Sequence, residues 1–312
     1  MSSILTRILP NPLPKGGTIG ITAPASTPDP EKLNRGVRYL EQLGYRVHVG
    51  ETCHTTEHYL AGSDDMRATE LMRFFADPKL DAIFCARGGY GSMHTLPMLD
   101  FQLIAHNRKL FVGFSDITAL QWAFWKQTGL VTVSAGMAAT DMAHEVIDPN
   151  FESMFWELIE SGRFKLPLDH AQDTSARISG FSLAGTASVA AKLFGTPYMP
   201  SMDGSILILE DVDEPRHKIE GYLRQFQMSG AFRDANAVIL GEFTPSKTES
   251  YPIVPDIDTV LNRVTADAGG PVIRNVAYGH IRNKISVPVG AEVAVSLGPV
   301  SSLSSTGSIY PS

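Results

Sequence analysis

The sequence predicts an α/β protein of two domains. Three observations carry that expectation. From Thr18 to Ser134, short apolar runs alternate with stretches whose apolar residues recur at helical spacing. The pattern then weakens between Glu145 and Ser179. It resumes at Ser205 and closes on two strand-like stretches, Glu292 to Ser296 and Val300 to Leu303.

The elements follow in order. Thr18 to Ala23 is a short apolar strand stopped by Pro24. Asp29-Pro30 supplies an N-cap and a first-turn proline. The helix it opens carries Leu33, Val37, Leu40 and Leu43 on one face and ends at Gly44. Tyr45 to Val49 returns as a strand, completing a β-α-β crossover, which implies parallel pairing. Ser63 starts a helix through Leu71, Phe74 and Phe75, and Leu80 to Ala86 is the next strand. Leu110 to Phe114 is another, followed at once by Ser115 and a helix with Ile117, Leu120 and Phe124 on one face, closing near Gly129. Val131 to Ser134 is a further strand. These elements predict a flavodoxin-like parallel sheet over residues 1–160. Residues 161–178 are expected to be a linker, preceded by a short helix around Phe155 to Ile159; Gly162 and Pro167 argue for a connection. Residues 179–312 should form the C-terminal domain. Within it, Ser205 to Leu209, Ala237 to Leu240 and Val272 to Ala277 read as strands. Glu210 to Pro215 reads as a polar loop.

Composition narrows the function. The 312 residues carry a net charge of −7 and no long basic run, which argues against nucleic acid as a partner. No stretch is long and apolar enough to span a bilayer, and the N-terminus lacks a secretory core, so a cytoplasmic, soluble protein is expected. The two cysteines, Cys53 and Cys85, make no disulfide framework. His54 and His58 have no evident third partner, so no metal site is expected.

Several groups could carry chemistry. Ser115 sits between a strand and a helix N-terminus, where a hydroxyl projects from the sheet edge toward free N–H groups. On this stretch alone a helix cap is the commoner reading. Arg87-Gly88-Gly89-Tyr90-Gly91 follows a buried strand. Its glycines could bind phosphate, turn the chain, or form an oxyanion hole in which the N–H groups of Gly88 and Asp116 act together. Arg87 could grip a carboxylate through two hydrogen bonds or form a surface ion pair. Glu210 ends an apolar strand, so it points into the usual ligand crevice unless it belongs to a solvated acidic turn. His280 lies past another strand end and could act as a general base or be structural. A serine, a glutamate and a histidine at three strand ends are together compatible with a triad. Two domains around a cleft would also describe a non-catalytic binding protein.

The ordered set of short strings completes the reading. Ile21-Thr-Ala-Pro24, Tyr59-Leu-Ala-Gly62, Arg87-Gly-Gly-Tyr-Gly91, Gly113-Phe-Ser-Asp116, Leu209-Glu-Asp-Val212 with Glu214-Pro215, and Gly279-His280 span nearly the whole chain. In these strings and their order the chain resembles the LD-carboxypeptidases, serine peptidases that act on muropeptides. The resemblance implies Ser115 as nucleophile, His280 as general base and Glu210 as the residue that orients it. It also implies an oxyanion hole from the N–H groups of Gly88 and Asp116, a homodimer, and no cofactor. The expected reaction is release of terminal D-alanine from murein tetrapeptide at an L,D bond. A branch of the family that hydrolyses peptide-nucleotide antibiotics is the alternative; Arg87 before the glycine pair favours the muropeptide branch. Thr186-Ala187 stands where many relatives carry Asn-Leu, a change expected to bear on the substrate pocket.

Overall fold

The computed structural model describes residues 6–171, 173–248, 251 and 253–311. Its first half runs β1 (Thr18–Thr22), α1 (Pro30–Gln42), β2 (Arg46–Val49), α2 (Asp64–Ala76), β3 (Ala82–Cys85), α3 (Ser92–Thr95), α4 (Phe101–His106), β4 (Leu110–Gly113), α5 (Thr118–Thr128), β5 (Thr132–Ser134) and α6 (Pro149–Ser161). The helix starts sit where the capping residues place them: Asp29 accepts from the Lys32 N–H and Ser63 from the Met66 N–H. Strands β3, β4 and β5 are buried along their whole length, as parallel strands covered on both faces must be. The parallel order β2-β1-β3-β4-β5 is the flavodoxin-like order, with its crevice at the C-terminal strand ends.

Helix α6 is longer than the sequence suggested. It spans 13 residues between the cap Asp148 and the left-handed Gly162. Pro149 and Gly162 look like loop residues in sequence, but here they are the first helical position and the C-terminal stop. Phe151, Phe155, Leu158 and Ile159 are buried, and Phe155 meets Phe84 of β3 edge-on at 6.0 Å between ring centres. The helix therefore covers the first sheet.

The second half runs β6 (Lys165–Leu168), β7 (Ala176–Thr186), α7 (Ala187–Ala191), β8 (Ser205–Glu214), α8 (Arg216–Met228), α9 (Ala231–Asp234), β9 (Ala237–Pro245), α10 (Ile257–Val264), β10 (Val272–Ile273), β11 (Val287–Val289), β12 (Glu292–Leu297) and β13 (Ser301–Ser305). The second sheet has the order β10-β9-β8-β7-β12-β13-β6. It is parallel from β10 to β7 and antiparallel from there on, which makes the β-rich end.

Four sequence expectations change here. Of the stretch 161–178, expected as a connection, β6 and the start of β7 are strands of the second sheet. Pro167 is tolerated because β6 is the edge strand. The expected polar loop after Leu209 is instead the continuation of β8 to Glu214. The expected strand Val272 to Ala277 pairs only over Val272–Ile273. Finally, β11 leaves the C-terminal half and pairs antiparallel with β5, extending the first sheet.

The two layers share one buried apolar cluster. Trp122 of α5, fully buried, donates its indole N–H to the Ala184 carbonyl of β7 at 2.9 Å. No helix among the described residues is long and apolar enough to cross a membrane.

Candidate active site

The site is built on the exit from β4. A Cβ on Gly113 would meet Ile117 Cγ2 at 2.4 Å, so only glycine lets the chain turn this sharply. Phe114 is extended, and Ser115 then takes a left-handed φ of +64° before the 3₁₀ turn Ser115–Ile117 leads into α5. A non-glycine residue held there costs about 1–3 kcal/mol, which the surrounding packing must offset. The result is a half-buried serine presented at the C-terminal edge of the sheet, at the start of a helix.

The structure brings Ser115, His280 and Glu210 together. Ser115 Oγ lies 3.0 Å from His280 Nε2, and His280 Nδ1 lies 2.8 Å from Glu210 Oε2. The carboxylate acceptor places the ring proton on Nδ1 and leaves Nε2 to accept the serine proton. Glu210 is fully buried, whereas the imidazole is a quarter exposed, at the mouth of the site.

Glu210 is held from β7. The Thr186 hydroxyl donates to Glu210 Oε1 at 2.5 Å, and the Thr186 N–H donates to Thr118 Oγ1 at 3.0 Å. Thr186 faces Glu210 in the parallel register of β7 and β8. It is therefore buried against the carboxylate rather than lining a pocket. Two bulges flank the position: Glu210 opposes both Gly241 and Glu242, and Asp213, at a φ of +56°, is the extra residue further along β8. Asp211, next in the chain, accepts from the N–H and hydroxyl of Ser188 at the start of α7. Burial, then the neighbouring Glu210 charge, pushes its carboxyl up to about 6.

Gly88 closes the opposite side. A Cβ there would lie 2.8 Å from Ser115 Cβ and 3.1 Å from the Asp116 nitrogen. The backbones of Gly88 and Asp116 thus converge beside the hydroxyl. Asp116 Oδ2 accepts from the Ser92 N–H at 2.8 Å, and the Ser92 hydroxyl donates to the Asp116 carbonyl at 2.6 Å. Burial raises the Asp116 carboxyl above its ordinary value. The glycine loop is stapled to the loop after β1: Ser26 N–H donates to the Gly88 carbonyl at 3.3 Å, and Tyr90 N–H donates to Ser26 Oγ at 3.1 Å.

Arg67 is a member of this scaffold that the sequence reading missed. Fully buried, it donates to the carbonyls of Pro24 and Gly91 at 2.7 Å each, to the Gly62 carbonyl at 3.2 Å, and to Asp64. It ties three loops around the site. The available signal was its place four residues before Leu71, an arginine on the apolar face of α2.

Arg87, beside Gly88, is half-buried and donates to the Thr27 carbonyl at 3.4 Å. Among the described residues no carboxylate lies within ion-pair distance of it. Among the described residues no cluster of three histidine, cysteine, aspartate or glutamate side chains could hold a metal ion. Burial pushes the Cys85 thiol well above its ordinary range, which removes it as a nucleophile.

Comparison with known proteins adds the relatives. Residues 19–135 match the LD-carboxypeptidase N-terminal domain and residues 179–295 the LD-carboxypeptidase C-terminal domain. The chain is 34% identical, over 92% of its length and 91% of the relative, to a probable murein peptide carboxypeptidase of Bacillus subtilis. It is 25% identical, over 92% of its length and 93% of the relative, to the microcin C7 self-immunity protein of Escherichia coli. The crystal structure of a muramoyltetrapeptide carboxypeptidase from Oxalobacter formigenes superposes with a TM-score of 0.85 at 28% identity, covering 95% of this chain and all of that one.

Proposed function

The chain belongs to the LD-carboxypeptidase family, and on that premise we propose that it is a serine carboxypeptidase releasing the terminal D-alanine of murein tetrapeptide. The bond cut is the L,D peptide bond, and the setting is cytoplasmic cell-wall recycling by a homodimer. The observation that carries the reading is the continuous chain from Ser115 Oγ through His280 to Glu210, with contacts of 3.0 and 2.8 Å.

Each step uses a group of this chain. Ser115 Oγ attacks the carbonyl carbon as His280 Nε2 takes its proton. The oxygen that becomes negative turns toward the N–H groups of Gly88 and Asp116. Collapse breaks the C–N bond, and the imidazolium returns the proton to the departing D-alanine amine. An ester to Ser115 remains. His280 then deprotonates a water that attacks the ester and frees the serine. Throughout, Glu210 holds the imidazole and stabilises its positive form.

Mass spectrometry of muropeptides of defined stereochemistry tests the reading. Loss of one D-alanine from the tetrapeptide with an L,D terminal bond is expected, and none from the D,D-linked pentapeptide. Turnover of a peptidyl-nucleotide conjugate in place of the tetrapeptide would favour the second reading, which the likeness to the self-immunity protein supports.

Arg87 is assigned to the free terminal carboxylate, which would explain cleavage at the chain end. Amidating that carboxylate should raise KM by about 10- to 100-fold, the worth of one charge-assisted bond of about 1.5–3 kcal/mol. In Arg87→Met the acid and the amide should be turned over alike. An unchanged preference for the acid in that variant would move the role elsewhere.

A further inference from the structure

We propose that the buried Asp141–Lys284 ion pair is a positioning latch for His280, an assignment that rests on the triad reading of the site. Ser115 belongs to the first sheet and Glu210 to the second, while His280 lies on the connection between them. The imidazole must meet both, so something has to set that connection on the serine's side.

Four ties do so. The Tyr278 hydroxyl is 2.7 Å from Ser134 Oγ of β5, and Arg282 donates to the Val146 carbonyl at 2.7 Å. β11 pairs with β5. The fourth tie is Lys284 Nζ, 2.8 Å from Asp141 Oδ1, with both side chains almost wholly buried. Immediately outside Tyr278 and Lys284, the Ile285 N–H donates to the Ala277 carbonyl at 2.8 Å and closes the loop that displays His280.

The ion pair also reaches the catalytic ring through Phe114, as does Tyr278, whose ring meets Phe114 edge-on at 5.6 Å. Lys284 Nζ stands 4.3 Å from the centre of the Phe114 ring, within cation–π range. Phe114 in turn packs on the imidazole, with ring centres 4.9 Å apart. Phe114 immediately precedes Ser115, so one side chain buttresses both members of the proton transfer. The pair is fully equipped: Asp141 Oδ2 also accepts from the Met137 N–H at 3.1 Å and the Thr140 hydroxyl at 2.7 Å. Burial alone would push the Asp141 carboxyl up, yet Lys284 and these donors hold it below its ordinary value.

Energetics point the same way. A buried ion pair usually adds little stability over apolar residues of the same volume, because desolvation offsets the attraction. What such a pair contributes instead is a single geometry. Displacement of a catalytic group by about 1 Å can cost about 100-fold in rate.

Two readouts test the latch: steady-state release of D-alanine, and the rate at which a fluorophosphonate labels Ser115, which needs no peptide substrate. Lys284→Met should lower kcat and the labelling rate together, by about 10- to 100-fold, with KM within about twofold of the parent. Lys284→Arg should recover most of the loss. The double variant Asp141→Asn with Lys284→Met leaves no uncompensated buried charge and should fold like the parent while keeping the rate loss. A double variant that labels at the parent rate overturns the latch and leaves the pair as a tie only. If instead the parent labels no faster than its His280→Ala counterpart, the triad reading has failed, which is a separate outcome.

Discussion

Ser115→Ala is expected to lower kcat/KM for D-alanine release by about 10⁴- to 10⁶-fold, the scale on which hydrolases lose rate when the nucleophile of a triad is removed. The residual rate would come from the oxyanion donors and binding groups alone. Substrate binding should persist, because the serine hydroxyl projects from the turn and its removal leaves the Gly88 and Asp116 backbones in place. The melting temperature should hold as well, since alanine keeps the left-handed φ of +64° and deletes one half-buried oxygen. Steady-state assay with calorimetry on the same preparation separates loss of chemistry from loss of fold. Release at the parent rate would falsify the mechanism.

Glu210→Gln is the second large effect. The amide is nearly isosteric, so the buried strand should survive. It can still accept from Thr186 Oγ1 through its oxygen, and it then presents its NH₂ to His280 Nδ1. Two donors would face each other unless the imidazole shifts its proton to Nε2, where it can no longer accept from Ser115. The negative charge that stabilises the imidazolium is also lost. A fall in kcat of about 10³- to 10⁴-fold follows, with KM little changed. The rate should not return on raising the pH, because the tautomer is fixed by the amide. Recovery at high pH would show that Glu210 acts only through its charge.

Much of this site was legible before the coordinates. The apolar run Leu110 to Phe114, with a glycine at 113 and a helical stripe after it, marks Ser115 as a residue on a strand-to-helix turn. His280 and Glu210 were visible as single polar residues after apolar runs. How Glu210 is buried was not. Three acidic residues between Asp211 and Glu214 resemble a solvated turn, and the pairing of Glu210 with β7 and of β8 with β9 out to Glu214 overrides that appearance. The role of Thr186 stayed hidden with β7, whose partners lie in distant parts of the chain. A strand as short as β11 has too few residues to show a period, so only its non-local pairing defines it. Lys284 offered no signal, because a single lysine in a loop looks solvated until its aspartate, on the far side of the cleft in sequence, is found.

The return of β11 to the first sheet has a consequence for biogenesis. Ser115 and His280 stand 165 positions apart, and the ladder that seats the histidine segment joins Thr132 to Val289. The first five parallel strands can assemble from nearby chain as it emerges, yet their outer edge at β5 stays uncovered until β11, which follows five strands of the second sheet, has been synthesised. Pairings of such long range come late in folding because a large loop must close first. On the triad reading, the nascent protein carries a serine with no base until the final strand to join that sheet pairs with β5.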